Sequence, residues 1–200
     1  MRTFMIVYDF DGTIYDGDCS LDFYFFCLCR RPTLLRYLPW QLKGMMSYYL
    51  GFMDKTKYKE HFFYFLSDIV EIQLWVDQFW RIYERKLKQW YMFKKHEQDV
   101  IISASPRFLL EPICNKLGVR DLIASEVDAA TGSFKGVNCF GRQKVLLFNE
   151  KYPSEQIDEF YSDSLHDAPL ADLALKAYIV KGRRILMWPL KKGPCHVEQK

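Results

Sequence analysis

Short apolar runs that stop abruptly at polar clusters mark both ends of this chain, and a long stretch of helical periodicity separates them. Phe4-Met5-Ile6-Val7-Tyr8 is β-rich and stops at Asp9-Phe10-Asp11-Gly12-Thr13. Val100-Ile101-Ile102 stops at Ser103-Ala104-Ser105-Pro106, and Ile157 to Tyr161 stops at Ser162-Asp163-Ser164-Leu165-His166-Asp167. Leu122 to Val127 reads as a further strand. Ala177 to Val180 reads as a late one, with a turn at Gly182 and a second run, Ile185 to Trp188, that predicts a hairpin. Between these runs the period changes to that of helices. Ser105 is placed to cap a helix with Pro106 at its first position; the pattern continues through Leu109, Ile113 and Leu117 and ends at Gly118. Thr131-Gly132 and Lys135-Gly136 mark turns, after which Arg142-Gln143-Lys144 opens a helix over Val145-Leu146-Leu147-Phe148. Alternating strands and helices from residue 99 onward predict an α/β fold: a parallel sheet with crossover helices.

Residues 14–98 show no such alternation. Apolar positions recur at helical spacing, as Leu21, Tyr24, Phe25, Leu28, then Phe62, Phe65, Leu66, Ile69, then Trp75, Phe79, Ile82, Leu87. The expected organisation is therefore a catalytic core of residues 1–13 and 99–200 with a helical cap of residues 14–98 inserted after the first strand. Loops around Ile14–Ser20 and Phe93–Asp99 would act as hinges.

The polar clusters all fall where a strand ends, the edge at which open α/β sheets bind ligands. Asp9 and Asp11, two residues apart, share a face while Phe10 points into the fold, and Gly12 permits a tight turn. Close carboxylates repel unless a cation or proton compensates, and oxygen-only ligands of this kind suit Mg2+. In isolation the same residues would serve as an ordinary Asp-Gly turn, Lys144 as a solvated helix lysine, and Asp163 and Asp167 as a capping pair.

Composition narrows the choice without making it. Two hundred residues, half of them hydrophobic, suffice for one substantial core and a smaller accessory unit. A net charge of +3 gives no argument for nucleic acid. Six cysteines without a CxxC pair predict buried reduced thiols rather than zinc, even at Cys27-x-Cys29. The first strand begins at once, with no leader pattern before it, so the expected location is the cytoplasm or the cytosolic face of the inner membrane. His166 reads as a loop residue, and His61, His96 and His196 carry no partner pattern. Asp16, Asp18 and Asp22 read as loop acids, one of which could line a substrate entrance.

An Asp-x-Asp-Gly-Thr strand end followed in order by a hydroxyl (Ser103), a lysine (Lys144) and an acidic pair (Asp163, Asp167) resembles the haloacid dehalogenase superfamily, across nearly the whole chain. The resemblance implies a Rossmann-like core with a C1-type cap, as in the phosphoserine-phosphatase-like subfamily IB. It implies a Mg2+-dependent phosphomonoester hydrolase working through an aspartyl-phosphate. Asp9 would be the nucleophile and Asp11 the general acid and base. Ser103 and Lys144 would hold the phosphoryl group, with Phe10 and Ala104 beside them in the phosphate-binding segments. Asp9, Asp163 and the Asp11 backbone carbonyl would hold the metal, and Asp167 would support it. The dehalogenase branch fits poorly, because carbon–halogen displacement needs neither metal nor a second aspartate. The phosphonate-hydrolysing branch needs a Schiff-base lysine in the cap, and the sequence marks none out.

Residues 34–53 stand apart. They hold two charges, Arg36 and Lys43, together with Trp40, three tyrosines and three methionines. Polar and Pro39 interruptions oppose a bilayer-spanning helix and favour an interfacial hairpin; packing within the cap, or against a second subunit, is the competing account. The finer spelling (Arg31-Pro32, Ser105-Pro106, Cys139 to Val145, Tyr161 to Leu170) resembles the phosphatidylglycerophosphatase C type of enzyme, which implies a phospholipid substrate and peripheral membrane contact. A soluble phosphomonoester such as phosphoserine is the alternative substrate, and an inert phosphate- or lipid-binding module the alternative function.

Overall fold

A computed structural model describes residues 4–189. The elements run β1 (Ile6–Tyr8), α1 (Cys19–Arg30), α2 (Leu38–Tyr49), α3 (Lys55–Phe63), α4 (Ile72–Tyr83), α5 (Gln89–Lys94), β2 (Val100–Pro106), α6 (Arg107–Leu117), β3 (Asp121–Ser125), α7 (Arg142–Lys151), β4 (Ile157–Ser162), α8 (Ala168–Ala171), β5 (Ala174–Lys181) and β6 (Arg184–Met187). The sheet order is β3-β2-β1-β4-β5-β6. Every neighbouring pair is parallel except β5–β6, the antiparallel hairpin around Gly182. The expected α/β architecture with a parallel sheet is the one observed.

From β1 the chain builds outward on one side through β2 and β3, then returns to β4 on the other side. The direction of winding therefore reverses at β1. The C-terminal end of β1 is a topological switch point, where flanking loops diverge and leave a crevice.

Side chains of β1 alternate between two cores. Ile6, Tyr8 and Phe10 enter a large cluster that continues without a break into the helices after β1, through Tyr15, Phe23, Phe65, Phe79 and Trp80, and into α6. Met5 and Val7 enter a second cluster with Ile102, Phe148 and Phe160 beneath α7. On the insert side Phe10 stacks on Tyr15, their ring centroids 5.8 Å apart, and meets Trp80 edge-on at 6.0 Å.

Several elements depart from the sequence expectation. β3 stops at Ser125, and Val127 lies beyond it, bridged singly to Phe134. Of the expected α1 positions Tyr24 is buried and Leu28 packs against the core, whereas Leu21 and Phe25 face outward, and Cys19, Phe23, Phe26 and Cys27 supply the rest of the buried face. Spacing alone allowed either stripe, because both sides of this helix are apolar. Ser105 does not cap α6. Pro106 is its N-cap residue, and the Ser105 hydroxyl is committed elsewhere. Cys19, Cys27, Cys114 and Cys139 are buried free thiols, and Cys29 is exposed; His196 lies outside the described residues. The insert returns to the sheet through a ribbon at residues 14–16 and 86–88: Asp16 N–H donates to Lys86 O and Lys88 N–H to Ile14 O, both at 2.8 Å. α5 then packs Tyr91 edge-on against Tyr8 at 5.0 Å.

Candidate active site

At the switch point the loops after β1, β2 and β4 and the start of α7 enclose one side of a cavity of about 510 Å³; α1 and α3 form the other. Its walls include Asp9, Asp11, Ser103, Ala104, Lys144, Asp163 and Asp167. The structure thus brings together every residue singled out at the strand ends except Phe10. That residue sits behind the site, its ring in the core and its carbonyl accepting from the amides of Thr13, Ile14 and Tyr15.

The turn after β1 is shaped by its neighbour. Gly12 has φ +70°, and a Cβ there would lie 2.1 Å from Asp163 Oδ2, so no side chain fits between the two loops. Thr13 ties them together: its hydroxyl donates to Asp9 Oδ2 at 3.2 Å and accepts from the Asp163 amide at 2.9 Å.

Lys144 is the electrostatic centre. Its ammonium donates to Asp9 Oδ1 at 2.6 Å and Asp167 Oδ2 at 2.7 Å, with all three residues buried. Asp167 also accepts from the Ser162 hydroxyl at 2.8 Å. Burial alone would drive a lysine toward neutrality, but the two aspartates more than reverse that and hold Lys144 well above the usual lysine range. Burial pushes Asp9 up to about 7; Lys144 pulls it down, and the charges of Asp167 and Asp11 push it up.

Asp11 is anchored at both oxygens. The Cys19 amide at the start of α1 donates to Oδ1 at 2.7 Å, and the Ser105 hydroxyl donates to Oδ2 at 2.5 Å. Ser105 in turn meets the Ser20 hydroxyl at 3.1 Å. Burial, helped by Asp18, outweighs these donors and raises Asp11 to about 6, which suits a group that gives and takes protons near neutrality. Ser103 sits at the end of β2, its Oγ accepting the Ser105 amide at 3.1 Å, so its own proton is available to a ligand.

Among the described residues no three His, Cys, Asp or Glu side chains converge into a metal cage. Mg2+ does not require one. It is commonly held by one or two carboxylates, with waters and substrate phosphate completing the shell. Asp9 and Asp163 supply two, and among the described residues no ion pair takes up Asp163. Burial and the nearby Asp167 charge raise the Asp163 pKa. A crowded, under-neutralised set of hard oxygen donors fits Mg2+.

Four further side chains shape the cavity beyond what the sequence suggests for them: Thr13 stands in the Asp-x-Asp-Gly-Thr motif and Ser105 reads as a helix cap, while Lys55 and Lys59 carry no local signal. Thr13 bridges two loops and Ser105 orients Asp11. Lys55 and Lys59 of α3 line the insert side of the cavity. A lysine four residues from another on a helix is ordinarily a solvated pair, so only the tertiary contact distinguishes them. Asp18 also lines the cavity mouth, while Asp22 is bound by Tyr15 and Lys86. His166 remains in the loop between Asp163 and Asp167, its ring 5.2 Å from that of Phe140.

Comparison with known proteins bears on the fold and the family. No curated protein matches the sequence. Among solved structures, a protein of unknown function from Bordetella pertussis Tohama I superposes with a TM-score of 0.72 at 20% identity, over 88% of this chain and 89% of that one. A phospho-aspartyl intermediate analogue of phosphoserine phosphatase superposes with a TM-score of 0.57 at 13% identity, over 88% and 86%. A substrate-bound phosphoserine phosphatase complex gives 0.56 at 12%, over 88% and 85%. At such identities these likenesses establish the fold. The family model for haloacid dehalogenase-like hydrolases matches residues 6–172, from the start of β1 to just past α8, and with it the chain belongs to that hydrolase family.

Proposed function

We propose that this protein is a phosphomonoester hydrolase that passes the phosphoryl group first to Asp9 and then to water. The observation that carries the reading is the buried Asp9–Lys144–Asp167 chain, set beside Asp11 and Ser103 in one cavity at the switch point. A carboxylate oxygen of Asp9 attacks phosphorus while the bond to the ester oxygen breaks, and Asp11 gives its proton to that departing oxygen. Asp11, now ionised, takes a proton from water as the water attacks phosphorus. The acyl-phosphate bond breaks, releasing inorganic phosphate and restoring Asp9. Lys144, Ser103 and the chain at Ala104 oppose the charge on the phosphoryl oxygens. Asp9, Asp163 and the Asp11 carbonyl would hold Mg2+, which would supply positive charge where two anions must approach.

Phosphate release from a panel of phosphomonoesters, with and without Mg2+, tests the reading. Turnover that needs the metal supports it, and its absence across the panel contradicts it.

A lipid phosphomonoester, with phosphatidylglycerophosphate as the sequence resemblance implies, is a second reading favoured by one observation. α2 turns Gln41 and Gly44 inward and leaves Leu42, Met46 and Tyr49 exposed, with Leu50 and Phe52 just beyond. Such an apolar face, flanked by Arg36 and Lys43, suits the boundary of a bilayer. No helix among the described residues is long and apolar enough to cross a membrane. Mixed micelles of the lipid beside soluble esters discriminate: the lipid reading requires a strong preference for the micellar substrate.

A further inference from the structure

Two cations in the cavity wall have no part in the phosphoryl chemistry above. Lys55 and Lys59 stand one turn apart on α3, on the same side, and both line the cavity. Lys59 Nζ donates to Ala104 O at 2.7 Å and to Asn138 Oδ1 at 3.3 Å, both neutral acceptors, and an ammonium has three donors. Lys55 Nζ lies 3.2 Å from the centroid of the Phe140 ring. Among the described residues neither lysine forms an ion pair. Burial, reinforced by the charge of Lys55, pushes Lys59 down to about 8, with Asp18 and Asp11 restoring only part of the loss; burial also lowers Lys55.

The two are not on a loose arm. Glu60, between them and the end of α3, accepts from the Phe134 amide at 3.0 Å. Gly132, at φ +77°, closes on the same helix end so tightly that a Cβ would lie 2.4 Å from Phe63 O. α3 is thereby seated on the loop before α7, and its lysines are held at a set position beside Ala104. Desolvated charge without an anionic partner is costly, and a pair of such charges facing one cavity is neutralised most simply by an anion that enters it. The phosphoryl group already has Lys144 and Ser103 on the core side.

We infer that Lys55 and Lys59 form a second anion subsite, so that the substrate is a phosphomonoester carrying another anionic group, a carboxylate or a phosphodiester. This rests on the phosphatase reading of the cavity. Tyr58, Phe62 and Phe140 supply the apolar wall between the two charged ends.

The test uses three alkyl phosphomonoesters of equal length ending in a hydroxyl, a carboxylate or a methyl phosphodiester, with their non-hydrolysable phosphonates for equilibrium binding. Wild type should favour at least one of the two esters that carry a second anionic group over the hydroxyl ester by about tenfold in kcat/KM, carried by KM. Lys59→Met and Lys55→Met should collapse that ratio, and Lys59→Arg should restore part of it. The phosphonates should show the same ranking in binding. The preferred anion then separates a carboxylate from a phosphodiester substrate. Lys59→Met should also melt at or above wild type, since it removes an unpaired charge while Ala104 O keeps the Ser125 hydroxyl at 3.0 Å. A wild-type ratio near one, equal losses on all three esters, or a clearly lowered melting temperature would overturn the subsite and leave Lys59 as a strut between α3 and the core. Turnover of none of the esters would instead count against the phosphatase reading, and the phosphonate ranking would still decide the subsite.

Discussion

Lys144 and Lys59 face the same cavity from opposite sides, and their surroundings push them in opposite directions. On the core side, Lys144 is held above the usual lysine range by two aspartates within 2.7 Å. On the insert side, Lys59 has a carbonyl and an amide oxygen for partners and is pushed down to about 8. Burial lowers both; Lys144 has two carboxylates in direct contact, whereas Lys59 feels Asp18 and Asp11 only at a distance and has Lys55 as a like-charged neighbour. The core side balances its lysine within the chain, so its geometry exists before a ligand arrives. The insert side carries positive charge that no ion pair among the described residues takes up. On the proposed reading, one half of the cavity serves a reaction common to many esters and the other half chooses among them.

Breaking the core side should have the largest effects. Lys144→Met leaves Asp9 and Asp167 buried against each other, which should cost about 3–5 kcal/mol of stability and lower kcat/KM on the order of 10²-fold. Thermal unfolding and phosphate release read the two effects separately. Gly12→Ala forces a Cβ into Asp163 and a non-glycine residue to φ +70°, a strain of about 1–3 kcal/mol. Because Asp163 must move, the Mg2+ concentration for half-maximal activity should rise, and an unchanged value would mean that Asp163 is not a ligand. Thr13→Val removes both hydrogen bonds of the bridge, at about 1 kcal/mol; a melting temperature equal to wild type would show that the bridge contributes nothing.

The insert side offers a pH test of its own, above the range in which Asp9 and Asp11 titrate. Lys59 is cationic below its pKa of about 8 and neutral above it, so preference for the ester with a second anionic group should hold at pH 7 and fall as pH rises through 8 to 9. The groups acting on it are Lys55, Asp11, Asp18 and Cys139. Lys59→Arg should remove the fall, because a guanidinium stays charged throughout this range. A fall that persists in Lys59→Arg would belong to another group.

What could be read from the sequence divides along the same line. Asp9, Ser103 and Asp163 each follow or end a short run of strand periodicity, a local signal, and the sheet carries them to one edge because parallel strands all end there; Lys144 opens the helical run of α7. Ser105 was misread because Ser-Pro before a helical pattern is a common start signal. Its hydroxyl reaches Asp11, 94 positions away, a contact no local pattern encodes. The insert side is written in helical periodicity, which reports apolar faces and says nothing of which polar residue looks into a cavity. Even the apolar face was ambiguous in α1, where both candidate stripes were hydrophobic. Residues 34–53 stood out by composition, and α2 does leave much of that surface exposed. Composition does not say what covers it.

Phosphoryl transfer to Asp9 is the claim on which the account depends. It is tested most directly by acid-quenching enzyme mixed with Mg2+ and a phosphomonoester labelled in its phosphate, and mapping the label by peptide. The account predicts label on the peptide containing Asp9, stable in acid and released by hydroxylamine. Asp9→Asn should carry none and lose about 10⁴-fold or more in turnover. Label on any other residue, or steady turnover by Asp9→Asn, would contradict it.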